Sequence, residues 1–93
     1  MRIIWSRSAE AELANIVEYA AADSMRAATE LEQRIHAMVA GLADFPHVGR
    51  PSGLAGFREL VVSGSPYFVV YRINAGGIEI ARVIHGARLW PPE

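Results

Sequence analysis

The stretch YFVVYRINAGGIEIARVI, residues 67–84, decides the fold that we expect for this chain. Two runs rich in β-branched and aromatic residues flank the tetrapeptide NAGG, which predicts two antiparallel strands joined by a tight turn at Ala75 and Gly76. This turn places Arg72 opposite Glu79, and an opposite-charge cross-strand pair supports that register. The register predicts one sheet face formed by Phe68, Val70, Ala81, Val83 and His85, and a second formed by Tyr67, Val69, Tyr71, Ile80, Arg82 and Ile84.

The rest of the chain supplies the elements around this hairpin. Ser8 is a predicted helix N-cap, and the apolar residues that follow repeat at helical spacing. Asp23 and Ser24 break this helix and begin a second amphipathic helix, which Pro46 ends. Strands are predicted at residues 2–5, 57–62, 67–73 and 77–84. We therefore expect one α+β domain over residues 1–93, of order β-α-α-β-β-β, with an antiparallel helix hairpin packed on one face of a small antiparallel sheet.

Both faces of the predicted sheet are largely apolar, and two helices cover only one of them. We expect the second face to be covered by a partner, or to remain an exposed apolar patch. A chain of 93 residues buries a modest core, so such a partner would also stabilise it.

Composition excludes several classes of function. The chain has no cysteine, which rules out disulfides, thiol catalysis and zinc–thiolate sites. The spacing of His36, His47 and His85 matches no metal site, so neither metal nor cofactor is expected. The apolar part of the N-terminus is too short for a signal peptide, and no apolar run is long enough to span a membrane, so we expect a cytoplasmic protein.

The distribution of charge favours a protein partner over nucleic acid. The net charge is −1, and all nine basic residues are arginine. Residues 1–46 carry four Arg against seven acidic residues, a net of −3, whereas residues 47–93 carry five Arg against three Glu, a net of +2. This excess is weak beside the basic patch of a nucleic-acid binder. We expect no sequence-specific DNA binding by this chain alone.

Three residues are candidates for a functional site, each with a structural alternative. His85 ends the last predicted strand, and histidine is the residue type best suited to general acid or base catalysis near neutral pH, but a strand-end histidine can also simply bond a nearby carbonyl. Arg88 suits a phosphate or carboxylate, or is a surface residue. Arg58 alternates onto a face with apolar neighbours, where it would anchor an interface or extend its charged end into solvent.

The order of elements resembles the RelE/ParE superfamily of bacterial toxins from toxin–antitoxin pairs. The run HGAR after the last strand, residues 85–88, is the most specific match and is typical of ParE-like members and of related plasmid stabilisation proteins. Further matching residues are Trp5, Ala11, Glu12, Leu13, Ile16, Tyr19, Phe45, Pro46, Gly49, Arg50, Arg58, Glu59, Leu60, Pro66, Tyr67, Val70, Tyr71, Arg72, Ile80, Arg82, Val83 and Ile84. The resemblance implies a toxin that inhibits growth and is neutralised by a cognate antitoxin.

The superfamily contains two activities, and the resemblance favours one. RelE-like members cut messenger RNA on the ribosome, whereas ParE-like members inhibit DNA gyrase. RelE-like toxins usually carry cations at the positions matching Leu60 and Phe68, and a ribonuclease needs cations where phosphate charge develops. We therefore expect a ParE-like gyrase inhibitor without chemistry of its own. The alternatives are a ribonuclease that uses His85 and Arg88, and a non-toxic relative that only binds its antitoxin.

Eight residues are expected to contact the target or the antitoxin. They combine the candidate cations with the apolar positions assigned to the uncovered sheet face. The set is Arg50, Arg58, Leu60, Phe68, Val70, Val83, His85 and Arg88.

Overall fold

The computed structural model describes residues 1–92 and has the element order that the sequence predicts, with one additional short strand. The bounds are β1 Ile3–Trp5, α1 Arg7–Asp23, α2 Met25–Gly41, β2 Arg50–Pro51, β3 Arg58–Val61, β4 Tyr67–Asn74 and β5 Gly77–His85. The α+β fold class is confirmed. Within the described residues, no helix is long and apolar enough to cross a membrane.

Two serines begin the helices. The N-cap of α1 is Ser6 rather than Ser8, because the hydroxyl of Ser6 accepts a hydrogen bond from the amide of Ala9 at 3.0 Å. Ser24 ends one helix and starts the next: its amide donates to the carbonyl of Ala20, and its hydroxyl accepts from the amide of Ala27. A single residue therefore forms the whole connection of the helix hairpin.

The sheet is mixed rather than fully antiparallel. Its strand order is β1-β5-β4-β3-β2, and β1 runs parallel to β5. The amide of Ile78 donates to the carbonyl of Arg2, and the amide of Ser6 donates to the carbonyl of Ile80. The opposite edge is β2, only two residues long and containing Pro51, which suits an edge strand because proline has no amide to donate.

The β4–β5 hairpin has the predicted corner but not the predicted faces. Asn74 pairs with Gly77, and Arg72 forms an ion pair with Glu79 at 2.7 Å. A register shift between Val70 and Tyr71 then makes Ala81 an extra residue in β5. The predicted face is therefore wrong: Phe68 and Val70 lie on the side opposite to that of Val83 and His85.

The face with Val83 carries the core. Tyr71, Ile78 and Ile80 are fully buried there beneath both helices. The helices contribute Ala9, Leu13, Ile35 and Val39, and Leu42 follows α2.

The second face is covered in part by the chain itself, which corrects the expectation that only a partner could cover it. Val70 and Ile84 lie on this face and are 0% and 1% exposed. Residues 86–92, which we call the C-terminal strap, return across it. The ring of Trp90 lies 5.5 Å from the guanidinium carbon of Arg82 on β5, and its indole nitrogen donates to the hydroxyl of Ser52 beyond β2. The strap therefore spans the middle strands.

Candidate functional site: a cleft at the end of the central hairpin

The candidate site is a cleft of about 230 Å³ between α1 and the ends of β4 and β5. Tyr67 and His85 face each other across these two strands. Helix α1 supplies the opposite wall, and the turn after β5 supplies the rim. The lining residues are Glu12, Asn15, Ile16, Tyr67, Val83, Ile84, His85 and Arg88. Three predicted site residues, Val83, His85 and Arg88, are thus brought together.

One hydrogen bond fixes the orientation of the His85 ring. Its Nδ1 accepts a hydrogen bond from the amide of Ala87 at 3.0 Å, so the hydrogen of the neutral ring lies on Nε2. The ring also makes an edge contact with Tyr67, with centroids 5.3 Å apart and planes at 86°. His85 therefore offers a hydrogen-bond donor at Nε2 rather than a free lone pair.

The HGAR run is a turn that ends β5. The amide of Gly86 donates to the carbonyl of Pro66 at 2.7 Å, and the amide of Arg88 donates to the carbonyl of His85 at 2.9 Å. The guanidinium of Arg88 is exposed and has no hydrogen bond or ion pair among residues 1–92. The backbone of this run thus has a structural role, and the side chain of Arg88 remains available to a ligand.

Glu12 and Arg82 neutralise each other beside the cleft. The guanidinium of Arg82 reaches both carboxylate oxygens of Glu12, at distances down to 2.6 Å, and the amide of Val83 donates to the same carboxylate. The hydrogen bond to Glu12 raises the pKa of Arg82, and the negative charge of Glu12 adds to this effect. Because the folded pKa of Arg82 is raised, this stabilisation, while Glu12 is ionised, is complete below the unfolded-state pKa of the arginine and is lost as the pH rises through its folded pKa in strong alkali.

The other predicted contact residues lie elsewhere. Arg58 faces the helix side, where its guanidinium donates to the carbonyls of Gly49 and His47. Arg50 lies at the far edge and pairs with Glu59 at 3.1 Å. Phe68 is half-buried on the second face.

Three of the predicted contact residues are part of the interior. Leu60 is 9% exposed, Val70 is 0% and Val83 is 2%. These side chains pack inside the free chain, and their contact with a partner stays a prediction. The eight residues do not form one continuous surface, because the register shift and the alternation of strands divide them between two faces.

Tyr71 has a structural role that its central strand position alone did not indicate. Its hydroxyl donates to the carbonyl of Pro46 at 2.7 Å and accepts from the amide of Gly49 at 2.9 Å. A Cβ atom on Gly49 would lie 2.6 Å from this hydroxyl, which explains the glycine. The only signal in the sequence was the proline–glycine loop itself.

Larger depressions exist, but they hold fewer convergent polar groups. One of about 460 Å³ is lined by residues of a single loop, from Asp44 to Val48. Another, of about 310 Å³, lies between the helices beside Trp5, whose ring packs at a tilt of 52° against His36 with centroids 5.4 Å apart. The cleft at His85 is smaller but unites an arginine, a histidine, a tyrosine and an asparagine, so its chemistry favours ligand binding.

The fold is a small α+β domain, and its cleft offers hydrogen-bond donors and one arginine without an ion-pair partner among residues 1–92. Comparison with known proteins then identifies its family. Residues 3–90 match the model of the ParE toxin of the type II toxin–antitoxin system parDE. The chain belongs to the ParE toxin family, and it is therefore a toxin of a type II toxin–antitoxin pair, which implies an antitoxin partner.

Individual relatives agree with this assignment. The chain is 38% identical to the putative toxin Y4kP of Sinorhizobium fredii over 97% of its own length and 93% of the relative. It is 35% identical to the toxin RelE2 of Caulobacter vibrioides, over 95% and 98% respectively. A chain of the chromosomal ParDE system of P. aeruginosa superposes with a TM-score of 0.82 at 28% identity, covering 91% of this chain and 95% of that one.

Proposed function

We propose that this toxin inhibits growth by binding DNA gyrase, that it does so without catalysing a reaction, and that its cognate antitoxin neutralises it. The observation that carries the proposal is the hydrogen bond from the amide of Ala87 to Nδ1 of His85. A general base needs a free lone pair within reach of the substrate proton. In the neutral ring of His85 one nitrogen is occupied by this bond and the other carries hydrogen.

The shortage of cations supports the same proposal. Cleavage of RNA requires positive charge around the phosphate as it reacts. Beside the cleft, Arg82 is neutralised by Glu12. Arg88 is the one arginine that lines the cleft, and it has no partner among the described residues. Leu60 and Phe68 stand where RNA-cutting members carry cations, and Leu60 is buried.

The test is a supercoiling and DNA-cleavage assay with purified gyrase, run beside a messenger RNA cleavage assay on ribosomes. We expect inhibition of gyrase and intact message. Arg88→Ala should weaken inhibition by about 1–3 kcal/mol, as expected for an interface residue. His85→Gln, which keeps a donor near the position of Nε2, should change it little. Arg26→Ala is the matched control, because Arg26 is exposed on α2 and its one ion pair among residues 1–92 is with Glu30.

A ribosome-dependent ribonuclease is the second candidate. It is favoured by the convergence of Tyr67, His85 and Arg88 in one cleft. On this alternative, His85→Gln abolishes message cleavage and leaves antitoxin binding intact. Cleaved message with unaffected gyrase would overturn the gyrase proposal, and a protein inactive in both assays that still binds its antitoxin would be the non-toxic relative.

A further inference from the structure

The cleft has an unbalanced set of polar groups. Its carboxylate, Glu12, already accepts from the Arg82 guanidinium and from the amide of Val83. The charge of Glu12 is therefore balanced by Arg82, and its carboxylate oxygens already accept hydrogen bonds from within the chain. The remaining polar side chains are the guanidinium of Arg88, the Nε2 hydrogen of His85, the hydroxyl of Tyr67 and the amide of Asn15. The cleft therefore presents one positive charge and one imidazole donor, together with a hydroxyl and an amide that can each donate as well as accept.

The shape of the cleft restricts which anion it suits. Its apolar lining comes from Ile16, Val83 and Ile84, so a ligand with a short apolar stem and an anionic end satisfies both parts of the site. An aspartate or glutamate side chain has this form, and a carboxylate accepts charge-assisted hydrogen bonds from an arginine and an imidazole donor together.

We propose that this cleft binds an acidic side chain of the antitoxin, which forms an ion pair with Arg88 and accepts a hydrogen bond from Nε2 of His85. The inference rests on the proposed function in one respect, namely that the antitoxin neutralises this toxin by binding it. Tyr67 is a positioning residue, because its edge contact fixes the plane of the His85 ring.

A protein carboxylate is favoured over a nucleic-acid phosphate by the number of charges. A nucleic-acid backbone repeats its negative charge at every nucleotide and is bound by several cations at once. The cleft supplies one free arginine, and the whole chain has a net charge of −1. A single carboxylate therefore matches the single positive charge of Arg88.

The first experiment measures the affinity of the purified toxin for its antitoxin by calorimetry. Arg88→Gln should weaken binding by about tenfold to a hundredfold, because it leaves the carboxylate without its charged partner. Arg88→Lys should recover part of the loss, since it restores the charge without the planar fork. Arg26→Gln, on the outer surface of α2, should bind as the original chain does. Unchanged affinity in Arg88→Gln would overturn the inference.

A double-mutant cycle identifies the carboxylate. Each Asp of the antitoxin is changed to Asn and each Glu to Gln, and every variant is titrated against the original toxin and Arg88→Gln. One acidic position should weaken binding to the original toxin and have almost no further effect on Arg88→Gln. If the effects of every acidic position simply add to that of Arg88→Gln, the inference is wrong.

The source of the anion is tested with small probes. We expect sodium acetate to shift the Nε–H resonance of Arg88 and the ring resonances of His85 in the NMR spectrum of the free toxin. A response to inorganic phosphate alone, without a coupled acidic position in the antitoxin, would contradict the proposal and favour a nucleic-acid ligand. None of these three experiments contains gyrase, so failure of the gyrase proposal and failure of this inference are separate results.

Discussion

At the scale of single residues, Tyr71 shows how one buried polar group fixes a loop. Its ring is fully buried in the core, yet its hydroxyl bonds the backbone at both Pro46 and Gly49. Arg58 reinforces the same loop, donating to the carbonyl of Gly49 at 2.7 Å. Because a buried backbone group without a partner is costly, this hydroxyl determines where the segment between α2 and β2 lies.

Tyr71→Phe tests this role. The substitution keeps the ring and removes the hydroxyl, so one carbonyl and one amide lose their partner. We expect the free energy of unfolding to fall by about 1–3 kcal/mol. Urea denaturation measures it, and Tyr19→Phe is the control because Tyr19 is 77% exposed on α1. Equal stability of the two variants would show that the loop does not depend on the hydroxyl.

The residues of the cleft were partly predictable from the sequence. His85 and Arg88 are close in the chain and follow a strand, so their proximity followed from local order. The pairing of Glu12 with Arg82 did not, because 70 residues separate them and the register shift in β5 decides which way Arg82 faces. That pair determines the charge of the cleft.

At the scale of elements, the junction of β1 with the start of β5 depends on Gly77. Its φ of +131° is rarely adopted by other residues, and a Cβ atom there would overlap the backbone carbonyl of Arg2. That carbonyl accepts the hydrogen bond from the amide of Ile78 at 2.7 Å, which joins the first strand to the hairpin.

Gly77→Ala should therefore destabilise the protein by about 2–3 kcal/mol, since it combines backbone strain with a steric conflict. The neighbouring Gly76→Ala is the matched control, because its Cβ would meet only the side chain of Asn74, at 3.4 Å. Thermal unfolding of both variants measures the difference. A Gly76→Ala variant as unstable as Gly77→Ala would assign the effect to the turn rather than to the junction.

The C-terminal strap is the second element with a measurable contribution. Trp90 bridges Arg82 and Ser52 across the sheet face that holds Val70. Trp90→Ala should expose that face and lower the free energy of unfolding by about 1–3 kcal/mol, less than for a fully buried tryptophan. Hydrogen exchange at the amide of Val70 should also accelerate.

Leu89→Ala provides the control for the strap, because Leu89 is 71% exposed. It should change neither stability nor exchange. If Trp90→Ala matches Leu89→Ala in both measurements, the strap does not cover the sheet face in solution.

At the scale of the whole molecule, the sequence predicted the fold class because its signals were local. A helix pair divided at Ser24 and a hairpin with its corner at Ala75 and Gly76 both follow from short patterns. The coverage of the second face was not predictable, since residues 86–92 have no periodicity that reports where they pack. The sequence also gives no signal for the one-residue register shift between Val70 and Tyr71. This shift divides the predicted contact residues between the two faces of the sheet.

The charge of the whole molecule leads to a prediction about its target. Among residues 1–92, four of the nine arginines form ion pairs with the chain's own carboxylates, and the net charge of the chain is −1. We therefore expect affinity for gyrase to fall by less than about tenfold between 50 and 200 mM salt, because few counterions are released. The affinity of an RNA-bound toxin that makes six to ten phosphate contacts would fall by about 10³–10⁵-fold over the same range.

Titration of labelled toxin against gyrase and against ribosomes at each salt concentration measures how steeply each affinity falls. Steep loss with ribosomes, together with no binding to gyrase at low salt, would move the assignment to the ribonuclease branch, and the carboxylate cleft would then have to accept phosphate as well.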